Sequence, residues 1–226
     1  MAKLVTHKDN LPFWGDKELA KISETKNFPD MVFELLSERE PSPSESKIFN
    51  LILNLSIDHG PETPSAKATT ENVEDGESIN KAVAKGIEEI NDKHGGAGEK
   101  AMEMFYEIKK SSQLSADFVK KALAKSEKIY GYGHRIYKKD PRAEAILELL
   151  QKENLAEDYI SIACEIESQL LAQKGINLPI NIDGAMAVAF CIFGWTPKLA
   201  KAVFIISRTA GLCGHYLNNS KSKIDS

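Results

Sequence analysis

The amino-acid sequence predicts an all-α fold, and three observations support this. Apolar residues recur at spacings of three and four along most of the chain, as on one face of a helix. Serine, threonine or aspartate often precedes these runs, in two cases followed by proline, which is typical of helix starts. No set of alternating runs suggests a strand ladder, and only the stretch 177–183 (NLPINID) is typical of a short extended segment.

Four helices are predicted in the first half of the chain, at 44–58, 78–92, 98–110 and 115–128. The second of these should bury one face formed by Ile79, Val83, Ile87 and Ile90. The fourth should begin at Ser115 as a capping residue. Between the first two lies a polar segment with glycine and proline, 58–78, which predicts a long, turn-rich connection of the kind that is often functional.

Four more helices are predicted in the second half, at 141–154, 157–175, 183–194 and 196–211. Asp140 followed by Pro141 is typical of a capped helix start, and Thr196 followed by Pro197 repeats the pattern. Gly175 is a typical C-terminal cap. The tail from 218 to 226 is polar, and we expect it to be frayed or disordered.

The composition is that of a soluble globular protein. The chain has 226 residues, enough for one large domain or two modest ones, with 42% hydrophobic and 27% charged residues. The net charge of −4 argues against a dedicated nucleic-acid binder. The N-terminus lacks an apolar signal core, and no apolar run reaches the roughly 18 residues needed to span a bilayer. We therefore expect no membrane partner and a cytoplasmic protein.

The three cysteines show no CxxC spacing, which favours buried free thiols in a reducing cytoplasm. The histidines give more information. Five occur, and three of them, in DHGP, KHGGAG and GYGHR, stand beside glycine at predicted helix boundaries. A single histidine is usually an ordinary surface or core residue, but three in such turns favour a functional site.

Several kinds of site fit the residues poorly. The histidines are too far apart in the chain for the close ligand pairs of most zinc sites, so we expect no metal. No GxSxG elbow supports a nucleophilic triad, and neither GxxxxGK[ST] nor GxGxxG is present to bind phosphates.

General acid–base chemistry fits better. Asp183 follows an apolar extended run and opens a buried helix, either as an N-cap or as a carboxylate base whose pKa burial would raise. Arg208 lies in an apolar helix, either in a buried ion pair or facing an anion. Arg142 lies in the first turn of a helix, a poor place for a cation unless a carboxylate ligand is near. This set suits enolate chemistry on a polycarboxylate.

The motifs themselves resemble those of a known family. GYGHRIYKKDPRA is similar to the GxGHxxYxxxDPR signature of the citrate synthase superfamily. DHG with the following PSA, HGGAGEKAMEMF, LPINIDGAMA and SRTAGLCGHYL resemble its other segments in the same order, across roughly residues 45 to 217. DHGP, NIDG and GLCGHYL are most similar to the short citryl-CoA lyases and to the citryl-CoA-cleaving module of ATP-citrate lyase.

The resemblance implies a homodimeric helical enzyme that closes over acetyl-CoA and oxaloacetate, with no cofactor beyond the coenzyme A thioester substrate. It implies a large dimerisation domain from 1–97 and 176–226 and a small, CoA-binding domain from 98–175. Asp183 would take the acetyl proton, His94 would stabilise the enol, and His134 would polarise the ketone. His59, Arg142 and Arg208 would hold carboxylates. The backbone of Tyr130, Gly131, Tyr132 and Gly133 would line the CoA site.

Departures from the family leave the direction of the reaction open. The N-terminal helices are reduced, and the C-terminal arm that donates an arginine to the neighbouring subunit is missing, so we expect weaker citrate binding and hydrolysis. The retained set of His94, His134 and Asp183 is compatible with condensation and with its reverse. Cleavage of citryl-CoA is slightly favoured over citrate synthesis. A methylcitrate-forming homologue and a non-catalytic helical partner subunit are the alternatives.

Overall fold

A computed structural model describes residues 4–91, 94–111, 114–155 and 157–221 of the chain. Across these residues it contains eleven helices and three short strands, which confirms the predicted all-α fold. The chain separates into two compact units, the first ending at Leu53 and the second beginning at Asn54. The division into large and small domains implied by the resemblance stays a prediction.

The first unit opens with a small antiparallel sheet that was not predicted. Its strands follow the order β1-β2-β3, with β1 at Thr6–Lys8, β2 at Leu11–Trp14 and β3 at Lys17–Glu18. Strands of two to four residues are too short to show an alternating pattern. The signal lies in the turns, because Asp9, Asn10 and Gly15 all have positive φ, a conformation typical of tight hairpins.

Two helices and most of a third belong to the first unit: α1 (Leu19–Ser23), α2 (Phe28–Ser37) and α3 (Pro43–Ser56). Asn27 caps α2 because its side chain accepts a hydrogen bond from the amide of Asp30 at 2.8 Å. The rings of Phe33 and Phe49 meet edge to face, with centroids 5.5 Å apart, and join α2 to α3.

The second unit holds the remaining helices: α4 (Pro64–Glu74), α5 (Ile79–Glu88), α6 (Ala97–Ser111), α7 (Ser115–Ala124), α8 (Pro141–Lys152), α9 (Glu157–Lys174), α10 (Ile182–Ile192) and α11 (Lys198–Lys221). Helix α10 lies at the centre of this unit, packs against α6, α8 and α9, and is buried along nearly its whole length. Helix α11 packs against α4, α5 and α6. Functional side chains at the ends of these helices are therefore held by a rigid core.

Two predicted irregular segments are helical. The connection predicted at 58–78 contains α4, which begins where Thr63 accepts a hydrogen bond from the amide of Ala66 and Pro64 occupies the first turn. Thr63 and Pro64 already indicated a capped helix start in the sequence, but the polar composition of the segment led to the prediction of an irregular connection. The tail predicted to be frayed continues α11 as far as Lys221, and its residues from 222 onwards lie outside the described part of the chain.

Two details of the predicted helices were also wrong. Ser115 does not cap α7 but is its first residue, and its hydroxyl donates instead to Glu165 on α9 at 2.9 Å. Ile79 of α5 is 39% exposed, because the buried face of this helix is shifted towards the small residues Ala82 and Gly86. Small residues allow close helix packing that a search for large apolar residues overlooks.

The predicted start of α8 and the predicted cap of α9 are confirmed. Asp140 accepts a hydrogen bond from the amide of Arg142, and Gly175 follows α9 with a φ of 68°. The three thiols are free, and Cys191 is buried as predicted, but Cys164 is exposed and Cys213 is only half-buried, so the prediction of buried thiols was wrong for these two residues. No helix among the described residues is both long enough and apolar enough to cross a bilayer.

Candidate functional site

A cavity of about 240 Å³ lies within the second unit. The six side chains predicted to act in catalysis or in substrate binding all line it: His59, His94, His134, Arg142, Asp183 and Arg208. They come from six places in the fold, namely the turn after α3, the residues before α6, the turn before α8, and the helices α8, α10 and α11. Residues up to 149 positions apart in the sequence therefore share one pocket.

The geometry of His134 determines which of its nitrogens carries the proton. Its Nδ1 accepts hydrogen bonds from the amides of Ile136 and Tyr137, both at 3.1 Å. In a neutral imidazole the proton then lies on Nε2, which faces Nη2 of Arg142 at 3.3 Å. With Nε2 protonated, these two nitrogen atoms are both donors and cannot satisfy each other, so a ligand oxygen beside them would accept from both. Burial lowers the pKa of His134, which favours this neutral form.

Arg142 is held by the residue that caps its own helix. Its Nε donates to Oδ1 of Asp140 at 3.0 Å, and its Nη2 donates to Oδ2 at 2.8 Å. Burial opposes ionisation of Asp140, but the hydrogen bonds and charge of Arg142 hold the pKa of this carboxyl below its usual value. The ion pair explains how the fold tolerates an arginine in the first turn of α8.

Asp183 does not cap α10, so this alternative for its role was wrong. Asn181 is the cap, and its side chain accepts a hydrogen bond from the amide of Gly184 at 3.2 Å. The Asp183 carboxyl lies at the cavity surface, and none of the described residues donates a hydrogen bond to its side chain. Burial raises the pKa of Asp183 to about 6, although the charges of Arg142 and Arg208 oppose the rise.

Arg208 is 2% exposed and has only part of its hydrogen-bonding capacity satisfied. Its Nε donates to the carbonyl oxygen of Ser56 at 3.1 Å, and its guanidinium lies 4.7 Å from the ring centroid of Phe204. Nη1 has no partner among the described residues, and no described carboxylate pairs with this side chain. A buried ion pair therefore does not explain Arg208, whereas an anion in the cavity would complete its bonding.

The surroundings of the other two histidines in the cavity, His59 and His94, favour the neutral imidazole. Nε2 of His94 lies 2.9 Å from the hydroxyl of Ser65, and burial, together with the charge of Arg208, lowers the pKa of His94 to about 4. Burial and the charge of Arg142 also lower the pKa of His59. The ring of His59 meets that of His134 edge to face, with centroids 5.5 Å apart.

The turn that carries His59 is fastened to α11. Nε2 of His215 lies 2.9 Å from Oδ1 of Asp58, and Oδ2 of Asp58 accepts from the Gly60 amide at 3.1 Å. A Cβ at Gly211 would overlap the carbonyl oxygen of Ile57, so glycine is required for this close approach. His215, one of the five histidines, thus contributes to the position of the cavity wall.

The four residues predicted to line the CoA site, 130–133, differ in their surroundings, since one lines the cavity and another is buried in the core. Gly133 lines the cavity, and the ring of Tyr130 lies under Nζ of Lys128 at 4.7 Å. The Tyr132 side chain is buried, and its hydroxyl donates to a carbonyl oxygen of α9 at 2.9 Å. Gly131 has a φ of 86°, and a Cβ there would lie 2.7 Å from Cα of Gly184. Close packing against α10 is thus sufficient reason for this glycine.

Sequence reasoning assigned no site role to three residues near the cavity, although it predicted Asp140 as a helix cap. Ser65 contacts His94, Asp140 binds Arg142, and the ring of Tyr137 stacks on His134 with centroids 4.5 Å apart. Tyr137 stands three positions after His134, a spacing that could have indicated the contact only if the turn between them had been known. No group of three or more metal-ligating side chains converges anywhere in the described ranges.

The fold and the site together define a class of protein: a multi-helical chain with a small pocket that combines cationic, neutral imidazole and carboxyl groups. Comparison with known proteins identifies the family. Residues 2–224 match the family described as citrate synthase, C-terminal domain. The chain therefore belongs to the citrate synthase family, which confirms the resemblance predicted from its motifs.

Individual relatives agree with this assignment. A citrate synthase from Synechocystis is 33% identical over 193 residues, which cover 80% of this chain and 47% of that protein. The chain thus spans about half the length of this curated relative. A solved citryl-CoA lyase from Hydrogenobacter thermophilus superimposes with a TM-score of 0.91 at 30% identity, covering 97% of this chain and 86% of that one. An ATP citrate lyase from Methanothrix soehngenii shares the fold, with a TM-score of 0.90 at 20% identity.

Proposed function

We propose that the protein forms or cleaves the carbon–carbon bond of citryl-CoA, and that it acts as a citryl-CoA lyase. The observation that carries this proposal is the cavity that Asp183, with its raised pKa, lines together with Arg135, Arg142, Arg208 and three histidines whose pKa values are lowered. The products of cleavage would be acetyl-CoA and oxaloacetate.

The charges of the pocket suit a polycarboxylate. Arg208 has an unpartnered Nη1, and Arg142 presents Nη2 beside Nε2 of His134. Carboxylate oxygens accept such hydrogen bonds strongly, especially where water is excluded. His59 lies beside His134, and its lowered pKa favours the neutral imidazole, which would add a further donor without a charge.

The acid–base groups suit the chemistry in both directions. In cleavage, the hydroxyl group of citryl-CoA would release its proton to solvent and become the ketone of oxaloacetate, while the electron pair of the broken bond passes to the thioester end, where His94 would stabilise the enolate. Protonated Asp183 would then supply the proton that completes the methyl group of acetyl-CoA. In condensation, ionised Asp183 would remove that proton. A pKa of about 6 makes both forms accessible near neutral pH.

His134 would act on the oxygen that changes between alkoxide and ketone. Because Nδ1 already accepts two amide hydrogen bonds, Nε2 is the donor, and it lies 3.3 Å from Nη2 of Arg142. Together these groups would stabilise negative charge on that oxygen and orient the oxaloacetate carbonyl.

The size of the cavity and the structural comparison support the proposal. A cavity of about 240 Å³ is smaller than those that enclose drug-sized ligands, so it would hold the acid end while the nucleotide of coenzyme A lies outside. The chain superimposes on a solved citryl-CoA lyase with a TM-score of 0.91 at 30% identity, which favours the lyase. The homodimer, the domain closure and the CoA contact at 130–133 belong to the same proposal.

The proposal is tested by supplying purified protein with (3S)-citryl-CoA and, separately, with acetyl-CoA and oxaloacetate. A lyase releases oxaloacetate and acetyl-CoA from the first substrate. A synthase releases the free thiol of coenzyme A from the second pair, and propionyl-CoA in place of acetyl-CoA tests methylcitrate formation. Asp183→Asn serves as the inactive control. Absence of turnover with all of these substrates would show the proposed function to be wrong and would favour a non-catalytic subunit.

A further inference from the structure

A second carboxylate, Asp140, lies behind the cavity and does not line it. Its side chain is fully buried and accepts four hydrogen bonds. Oδ1 accepts from the amide of Arg142 at 3.1 Å and from its Nε at 3.0 Å. Oδ2 accepts from Nη2 of Arg142 at 2.8 Å and from the amide of Ile182 at 3.1 Å. One buried carboxylate thus joins two elements that contribute to the pocket.

One of these elements carries the arginine that would bind a substrate carboxylate, and the other carries the carboxyl group that would transfer the proton. Arg142 faces the cavity from the first turn of α8, and Ile182 is the first residue of α10, immediately before Asp183. We propose that Asp140 is a positioning residue, which fixes the direction of the Arg142 fork and the start of α10, and so sets the placement of substrate carboxylate relative to the Asp183 carboxyl. This inference rests on the proposed function for the identity of the substrate.

The charge of Asp140 is necessary for this role. A cation in the first turn of a helix is disfavoured by the helix dipole, and Asp140 compensates Arg142 at that place. Its charge also acts on Asp183. The pKa of Asp183 is raised by burial and, to a smaller extent, by the charge of Asp140. The charges of Arg142 and Arg208 lower this pKa, and that of Lys128 lowers it more weakly. Asp140 therefore offsets part of the effect of the two arginines on the acid.

Asparagine cannot reproduce the four contacts. Its side chain has one acceptor oxygen and one donor NH₂ group, so only one pair of donors can be satisfied. If the oxygen keeps the Arg142 amide and Nε, the NH₂ group faces Nη2 and the amide of Ile182. If the amide is flipped, the cap of α8 is lost instead. Either arrangement releases one of the two elements that Asp140 joins.

The kinetic experiment compares Asp140→Asn with the control Glu144→Gln. Glu144 lies on the same helix, is exposed, and pairs only with Lys139 at 3.2 Å, so this substitution removes the same charge from the surface. For Asp140→Asn we expect KM for citryl-CoA or oxaloacetate to rise by about tenfold or more. The limb of the rate profile that reports Asp183 should move to lower pH, because a charge that raises the pKa of Asp183 is removed. This is the basic limb in cleavage, where Asp183 acts as the acid, and the acidic limb in condensation, where it acts as the base. Glu144→Gln should stay within about twofold of the wild type in KM, with an unchanged limb.

A second readout needs no substrate. Amide hydrogen exchange at Ile182 should become at least about fivefold faster in Asp140→Asn, and unchanged in Glu144→Gln. If Asp140→Asn does not fold, Asp140→Ser keeps a helix-capping oxygen while removing the acceptors for Nη2 and Ile182. Exchange, KM and pH limb all equal to those of the wild type would overturn the role of Asp140. A wild-type protein without turnover would instead refute the proposed function, while the exchange rates still decide whether Asp140 holds α10.

Discussion

The buried charge of Asp183 should lower the free energy of unfolding by an amount that can be measured directly. Burial makes its charged form unfavourable, so the pKa rises from its ordinary value of 3.8 to about 6. In the unfolded chain this environment is absent. Replacing the carboxyl with the neutral amide of Asp183→Asn should therefore stabilise the fold at neutral pH while removing the proposed acid–base group.

The magnitude follows from the two pKa values. A rise from 3.8 to about 6 is about two units, and each unit corresponds to about 1.4 kcal/mol. Since the carboxyl keeps some contact with water at the cavity surface, we expect Asp183→Asn to add between about 1 and 3 kcal/mol to the free energy of unfolding at pH 7.5. The folded chain holds the proton more tightly than the unfolded chain. The wild type should thus lose stability as pH rises from about 4 to 6, and the advantage of the variant should vanish below about pH 4.

The assay is denaturant unfolding of both proteins between pH 4 and 8. Asp117→Asn is the matched control, because Asp117 is exposed in the first turn of α7 and should change stability by no more than about 0.5 kcal/mol. A variant less stable than the wild type at pH 7.5, or a difference that does not depend on pH, would refute the argument that the Asp183 charge is held at a cost.

Three further substitutions test the site and its packing. Gly131→Ala should lower the free energy of unfolding by at least about 2 kcal/mol, because the new Cβ lies 2.7 Å from the α10 backbone. Gly175→Ala is the control, since a Cβ there meets no other atom, and it should lower the free energy of unfolding by only about 1 kcal/mol. Thermal unfolding measures both differences. Tyr137→Leu should reduce kcat about tenfold by removing the aromatic ring that stacks on His134, and Tyr137→Phe should restore most of the activity. A Tyr137→Leu variant with the kcat of the wild type would exclude a role of this stack in orienting His134. Arg208→Lys keeps the charge but loses the planar fork, so calorimetry should show at least about tenfold weaker oxaloacetate binding; unchanged affinity would contradict the anion site.

Local signals predicted much of the helical part of the fold. The start of α8 follows from Asp140 and Pro141, whose chemistry favours a capped helix whatever surrounds it. The strands near Asp9 and Asn10 were missed because a pattern of period two needs more residues than each strand has. Helix α4 was missed because few of its residues are large and apolar, although Thr63 caps it.

The candidate site was predicted in membership but not in arrangement. The six pocket residues were chosen from motifs, and residue types alone could not show that helices far apart in sequence bring them together. The contacts that orient them are set by tertiary packing. The hydrogen bonds to Nδ1 of His134 and the bond between Asp140 and Ile182 depend on exact backbone positions, which composition and periodicity do not encode.

The attachment of the His59 turn to α11 has an evolutionary consequence. Arg208, Gly211 and His215 lie at spacings of three and four, on one side of α11, and each contacts the chain segment that leads into this turn. A shift of α11 would move Arg208 and the turn that carries His59 together and preserve the distance between them. Substitutions that adapt the pocket to a longer or shorter acyl chain should therefore accumulate away from this side of α11, while Arg208, Gly211 and His215 stay invariant.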